Sequence, residues 1–190
     1  DGIVGTGLGH LSVVVWGGFE QVERAIAEYE IDTVVHLAAQ AQVSVAHENP
    51  IGTFESNIQG TWIVLDACRR QNVQHVVVAS SDKAYGNGPT PYREDQPLQP
   101  YGLYAASKTC TDILAKTYYD EFALHVAIAR CGNIYGPGQR NTSTLITGAI
   151  RAAIREEPFK LRSANEPKRD YLYIDDAING YLQMMKPWHE

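Results

Sequence analysis

The 190 residues suffice for one domain, or for one domain and part of a second. With 44% hydrophobic and 20% charged residues the composition is that of an ordinary globular chain, and no run approaches the roughly eighteen apolar residues of a membrane span. A net charge of −6, with no Lys/Arg cluster larger than a pair, argues against nucleic acid as a partner.

Residues 1–10, DGIVGTGLGH, hold a glycine cluster whose spelling is not G-x-G-x-x-G, since position 10 is histidine. A dinucleotide fingerprint needs a strand before it and a helix after it. Only four residues precede Gly5, and the strand-like Leu11–Trp16 follows, so a flexible terminus or junction is expected rather than a phosphate loop. An amphipathic helix is predicted over about Phe19–Tyr29, with Val22, Ala25, Ile26 and Tyr29 as its apolar stripe. A short strand, Thr33–Leu37, then ends in Ala38-Ala39, small residues that let a backbone approach a flat ligand. His36 before them reads equally as a tightly packed side chain.

Pro50 opens a long predicted helix running to about Arg70. Polar Asn57 sits in its interior, and Gly60 costs roughly 1 kcal/mol against alanine, which suggests close packing against another backbone. The unbroken β-branched run Val76-Val77-Val78 reads as a central parallel strand buried on both faces. It stops at Ser80-Ser81-Asp82-Lys83. In open α/β sheets ligands bind beyond the carboxyl ends of the strands, so these residues are expected at a site.

After the Pro- and Gly-rich stretch 86–102, a helix starting near Leu103 carries Tyr104 and Lys108, whose i,i+4 spacing sets them on one face. A free phenol titrates near ~10, and each unit is worth about 1.4 kcal/mol, so a base working near neutrality needs roughly 4 kcal/mol of phenolate stabilisation. An adjacent ammonium supplies part of that. Beyond this helix, His125–Ala129 reads as another buried strand. Gly132, Gly136 and Pro137 predict a turn over 130–137, Ser143–Glu156 a helix, Phe159–Leu161 a strand, and 175–185 a last helix.

Cys68, Cys110 and Cys131 fall in predicted helix or strand at spacings that suit neither a disulfide framework nor zinc, and the six histidines form no HExxH. No metal site and a reducing, cytoplasmic setting are expected.

SSDKAYG (80–86) paired with YAASK (104–108) resembles the extended short-chain dehydrogenase/reductases, the NAD-dependent nucleotide-sugar epimerases and dehydratases. VVHLAAQ (34–40), NIQGTWIVLDACR (57–69), RCGNIYGP (130–137) and RDYLYIDDA (169–177) match the same family in the same order. The resemblance implies an α/β fold, a Rossmann-like doubly wound parallel sheet here lacking its first βαβ unit, with part of a small substrate-binding domain. Its expected division is 1–135 for an incomplete NAD-binding domain and 136–190 for a partial nucleotide-sugar-binding segment.

By that resemblance Ala38, Ala39, Gln40, Asn57, Ser80, Tyr104 and Lys108 border NAD, with Asn57 ordering the lysine and a water chain. Tyr104, Lys108 and Ser81 oxidise the sugar at C4, while Asn133 and Arg169 hold the pyrophosphate. An amide donates to phosphate without needing a buried charge to compensate it, and a guanidinium grips it bidentately. Asp82-Lys83 resembles the acid/base pair of CDP-glucose 4,6-dehydratases. The expected function is thus 4,6-dehydration of a nucleotide hexose. The alternatives are a 4-epimerase or 4-ketoreductase, and a truncated non-catalytic binding domain. A homodimer through a four-helix bundle of the two long helices is also implied. One departure is Gly17-Gly18, where relatives carry an acidic residue for adenine.

Overall fold

The computed structural model describes residues 18–161 and 169–186; the glycine cluster, the run Leu11–Trp16 and Lys168 lie outside them. The chain divides into two compact units, one of residues 18–130 with 183–186 and the other Cys131–Leu182. Among the described residues no helix is long and apolar enough to cross a membrane.

In the first unit the elements run α1 (Phe19–Glu28), β1 (Thr33–His36), α2 (Val43–Glu48), α3 (Pro50–Phe54), a π-helical segment (Glu55–Gln59), α4 (Gly60–Arg70), β2 (His75–Ala79), a 3-10 turn (Asp82–Tyr85), α5 (Leu103–Phe122) and β3 (Val126–Ala129). The three strands form a parallel sheet in the order β1-β2-β3, with Val34 opposite Val76 and Val76 opposite Val126. Alternation along β2 sends Val76 and Val78 to one face and Val77 to the other, and all three are buried, as a central strand requires. Val76 and Val78 join Val22 and Ile26 of α1, Leu65 and Cys68 of α4, Ala115 of α5 and Leu124 in one core. Burying a side chain such as Leu65 is worth about 1.5–3 kcal/mol. Parallel strands place all three carboxyl ends on one edge, and the polar residues after β2 emerge there.

The helix expected from Pro50 to Arg70 is present but widened in the middle. Asn49 caps it by accepting from Gly52 N at 3.0 Å, with Pro50 at the first helical position. At the π segment the Asn57 carbonyl accepts from the hydroxyls of Thr61 (2.6 Å) and Thr111 (2.9 Å). Side chains inserted at a helical carbonyl favour such a widened turn. Gly60 begins α4 as that turn ends, and a Cβ there would meet only Glu55 O at 3.9 Å. The close backbone packing expected at Gly60 is therefore absent.

The second unit holds β4 (Asn133–Tyr135), α6 (Leu145–Ile154), β5 (Tyr171–Tyr173) and most of α7 (Ile174–Met184). The turn expected over 130–137 is a strand at its centre, because β5 offers a parallel partner in the register Asn133 to Tyr171. Gly136 ends it, where any Cβ would lie 2.3 Å from Ile174 Cγ2. Phe159–Leu161, expected as a strand, is irregular. Among the described residues this sheet has only two strands, and the Phe159 ring instead packs over Gly148 of α6. Cys131 falls between β3 and β4 rather than inside a strand.

Candidate active site

The site grows from the end of β2. Ser81 is extended (φ −160°, ψ 152°) and caps the 3-10 turn, its Oγ accepting from Lys83 N at 3.2 Å and donating to Asp82 Oδ1 at 3.1 Å. Asp82 and Lys83 pair through Nζ–Oδ2 at 2.7 Å and remain partly open to solvent. Gly86 closes the turn at φ +58°, where a Cβ would lie 1.7 Å from the Gln99 carbonyl oxygen, so only glycine fits.

From the other side α5 presents Tyr104 and Lys108. The structure sets the Tyr104 phenol beside Ser81, close enough for that side chain to influence its ionisation. The lysine does not act on that phenol as its spacing suggests. Burial pushes the Tyr104 pKa up, the Asp82 carboxylate adds to the rise, and only the Ser81 side chain opposes it. Lys108 is 5% exposed, and its Nζ donates to the Ala79 carbonyl at 2.7 Å. Burial lowers its pKa to about 8. The depressed phenol expected from the four-residue spacing is thus corrected: a helical stripe fixes which residues are neighbours, not where a flexible ammonium points.

Asn57 is buried between the end of β1 and α5. Its Oδ1 accepts from Gln40 N at 2.7 Å, and its Nδ2 donates to Gln40 O (3.0 Å) and Ser107 Oγ (2.8 Å). Ser107 Oγ in turn donates to the Tyr104 carbonyl at 2.7 Å. Asn57 therefore clamps the chain leaving β1 to the first turn of α5, the helix that carries Lys108. Ser80 is buried, with its Oγ 3.4 Å from the Lys108 carbonyl. His36 is buried against Thr61 Oγ1 at 3.1 Å.

A small apolar surface remains open at this edge. Ala38 is exposed and Leu37 is 59% exposed, forming a small apolar shelf after β1. An ammonium carries three donors, and among the described residues Lys108 spends one, on Ala79.

Asn133 and Arg169 belong to the second unit. Asn133 Nδ2 donates to the Asp170 carbonyl at 3.2 Å, and exposed Arg169 leads into β5, so the two lie at one end of the small sheet. Sequence reasoning missed Ser107, Thr61 and Thr111, and a cluster of buried Tyr85 and Asp112 with half-buried Arg130. Asp112 continues the 104/108 stripe by one more helical turn, which was the available signal.

The chain is 32% identical over 170 residues to a UDP-glucuronate 4-epimerase of Thermodesulfobacterium geofontis, covering 89% of this chain and 52% of that protein. It is 29% identical over 176 residues to a CDP-glucose 4,6-dehydratase of Salmonella typhimurium, covering 86% and 49%. The chain thus spans about half the length of these curated relatives. Among solved structures it resembles a UDP-glucose 4-epimerase of Thermus thermophilus in complex with NAD, with a TM-score of 0.77, 34% identity, and coverage of 90% of this chain and 58% of that one. These likenesses bear out the Rossmann-like α/β fold. The model of the NAD dependent epimerase/dehydratase family matches residues 11–189, and the chain belongs to that family.

Proposed function

We propose that the chain carries the reaction centre of an NAD-dependent enzyme that modifies nucleotide sugars, most closely a nucleotide-hexose 4,6-dehydratase. The observation carrying this reading is the Tyr104 phenol set beside Ser81, with the Asp82–Lys83 pair on the adjoining turn.

NAD⁺, when bound, would supply the hydride acceptor and donor for the carbon centres of the sugar. Lys108 directs its spare donors to the nicotinamide ribose diol, beside the shelf of Ala38, Ala39 and Gln40. Ser81 hydrogen-bonds the sugar 4-oxygen while Tyr104 takes the 4-hydroxyl proton. Because the ligand-free phenol titrates high, activation falls to the bound state, where a cationic ring at the site favours the phenolate.

The resulting 4-ketone acidifies C5–H. Lys83 removes that proton, and Asp82 protonates the departing 6-hydroxyl, which leaves as water. These roles need a neutral amine and a carboxylic acid. One proton passed along the 2.7 Å Nζ–Oδ2 contact converts the ion pair into that neutral pair. Lys83 then returns its proton to C5 as hydride would return to C6, and the proton that Tyr104 took from the 4-hydroxyl passes back to Asp82, which closes the balance. Asn133 and Arg169 hold the pyrophosphate, which divides the chain functionally near 135/136.

The test is incubation of the protein with NAD⁺ and CDP- or dTDP-glucose, followed by alkaline development of the 4-keto-6-deoxy sugar chromophore. Dehydration that disappears in Lys83→Ala supports the assignment; full turnover in that variant removes it. The likeness to a 4-epimerase favours a second reading, in which the product is the C4 epimer and no chromophore develops. A non-catalytic binding domain would take up NAD⁺ or nucleotide sugar in calorimetry without turnover.

The reading includes a homodimer in a reducing, cytoplasmic setting, with free Cys68, Cys110 and Cys131. Large apolar side chains stand in solvent on the helices expected to form a bundle: Ile51 at 71%, Trp62 at 44% and Ile113 at 56% exposed.

A further inference from the structure

Arg130 is the first residue after β3, and its guanidinium reaches two elements at once. Nε and Nη2 grip Asp112 of α5 bidentately, each at 2.8 Å. Nη1 donates to the Tyr85 hydroxyl at 2.8 Å and to the Glu94 carbonyl at 3.1 Å. Four of the five donors of an arginine are therefore engaged. Tyr85 ends the turn that carries Asp82 and Lys83, and Asp112 lies one helical turn beyond Lys108 and two beyond Tyr104. Tyr85 is itself clamped, stacked on Tyr92 at 4.8 Å, whose hydroxyl donates to the Gly86 carbonyl at 2.9 Å.

We propose that Arg130 is a positioning residue: by bracing α5 against the Asp82–Tyr85 turn it sets the Tyr104 hydroxyl against Ser81. The proposal rests on the reading of Tyr104 and Ser81 as reacting groups. Stability alone does not account for the cluster: Asp112 is buried and Arg130 half-buried, and an ion pair with a desolvated partner is often replaced by well-packed apolar residues without loss. What apolar residues do not reproduce is the geometry. A planar fork fixes a carboxylate on one element while its other end fixes a phenol and a carbonyl on another, and lysine has no such fork.

The brace has a consequence at the phenol that a purely structural role lacks. Burial is the largest influence on the Tyr104 pKa and outweighs the opposing influence of Ser81, so slackening the turn, which lets water in, lowers it on balance. The experiment compares Tyr85→Phe, which removes one acceptor and keeps the ring stack, Arg130→Lys, and Leu124→Ala, a core truncation before β3 at the far end of the sheet. Phenolate absorbance is titrated in each, with the same variant carrying Tyr104→Phe subtracted.

The brace predicts that Tyr85→Phe and Arg130→Lys move the Tyr104 ionisation down toward the ordinary ~10, while Leu124→Ala leaves it in place. In turnover, both brace variants lose about tenfold or more in kcat while KM for the nucleotide sugar stays within about twofold. An unmoved Tyr104 ionisation in Tyr85→Phe, or an equal movement in Leu124→Ala, overturns the proposal. A parent protein without turnover on any nucleotide sugar defeats the catalytic reading instead, and the titration still decides the brace.

Discussion

His36 makes the stability of this chain depend on pH in a way its sequence position does not announce. Its ring is 7% exposed and meets Thr61 Oγ1. Burial, and after it the charge of Lys108, lower its pKa from 6.5 to about 4. The unfolded chain thus binds more protons than the folded one between those values. The stability is complete above pH ~6.5 and is lost as the pH falls through ~4. A gap of about 2.5 units at about 1.4 kcal/mol each gives about 3 kcal/mol, a large share of the roughly 5–15 kcal/mol that hold a domain together. His36→Gln keeps a hydrogen-bonding partner for Thr61 and removes the titration. Urea unfolding of parent and variant at pH 7 and pH 4 separates this effect, since the carboxylates common to both cancel. The parent should lose about 3 kcal/mol more than the variant across that interval. Equal losses within about 0.5 kcal/mol would refute burial of the imidazole as the source.

Other parts of the site yield further expectations. Asn57→Leu strands the Gln40 backbone groups and costs about 2–4 kcal/mol, read as a lower urea midpoint at unchanged slope. Gly86→Ala drives a Cβ into the Gln99 carbonyl; hydrogen exchange should show lost protection at Gln99 N–H, which now donates to Ala84 O at 3.1 Å. Trp62→Glu places a charge on the exposed face of α4 and should leave a monomer in sedimentation at concentrations where the parent is dimeric.

Much of the fold was legible because it rests on local pattern. The Val76–Val78 run is a central strand, the α1 stripe faces the core, and α5 carries Tyr104 and Lys108 as their spacing requires. The nearness of Tyr104 to Ser81 follows from that pattern together with the rule that sites form beyond the carboxyl ends of parallel strands. The rest depends on partners distant in sequence. The widened turn at Asn57 answers to Thr111, fifty-four residues away. The strand at Asn133 exists because Tyr171 lies beside it, although the neighbouring glycines and proline disfavour a strand locally. Arg130 and Asp112 meet only once the sheet has formed. The pull on the Tyr104 phenol was misread for a related reason. Sequence spacing made Lys108 a neighbour, while the ammonium turned to the Ala79 carbonyl and the carboxylate of Asp82 came nearer.

The account stands most directly on Tyr104→Phe, assayed with NAD⁺ and a nucleotide hexose against the parent for formation of the 4-keto product. Loss of the proton acceptor should slow that step by about a hundredfold to ten-thousandfold, with unfolding by urea little changed. A variant that forms the ketone at the parental rate would contradict the assignment of the phenol facing Ser81 as the group that takes the proton.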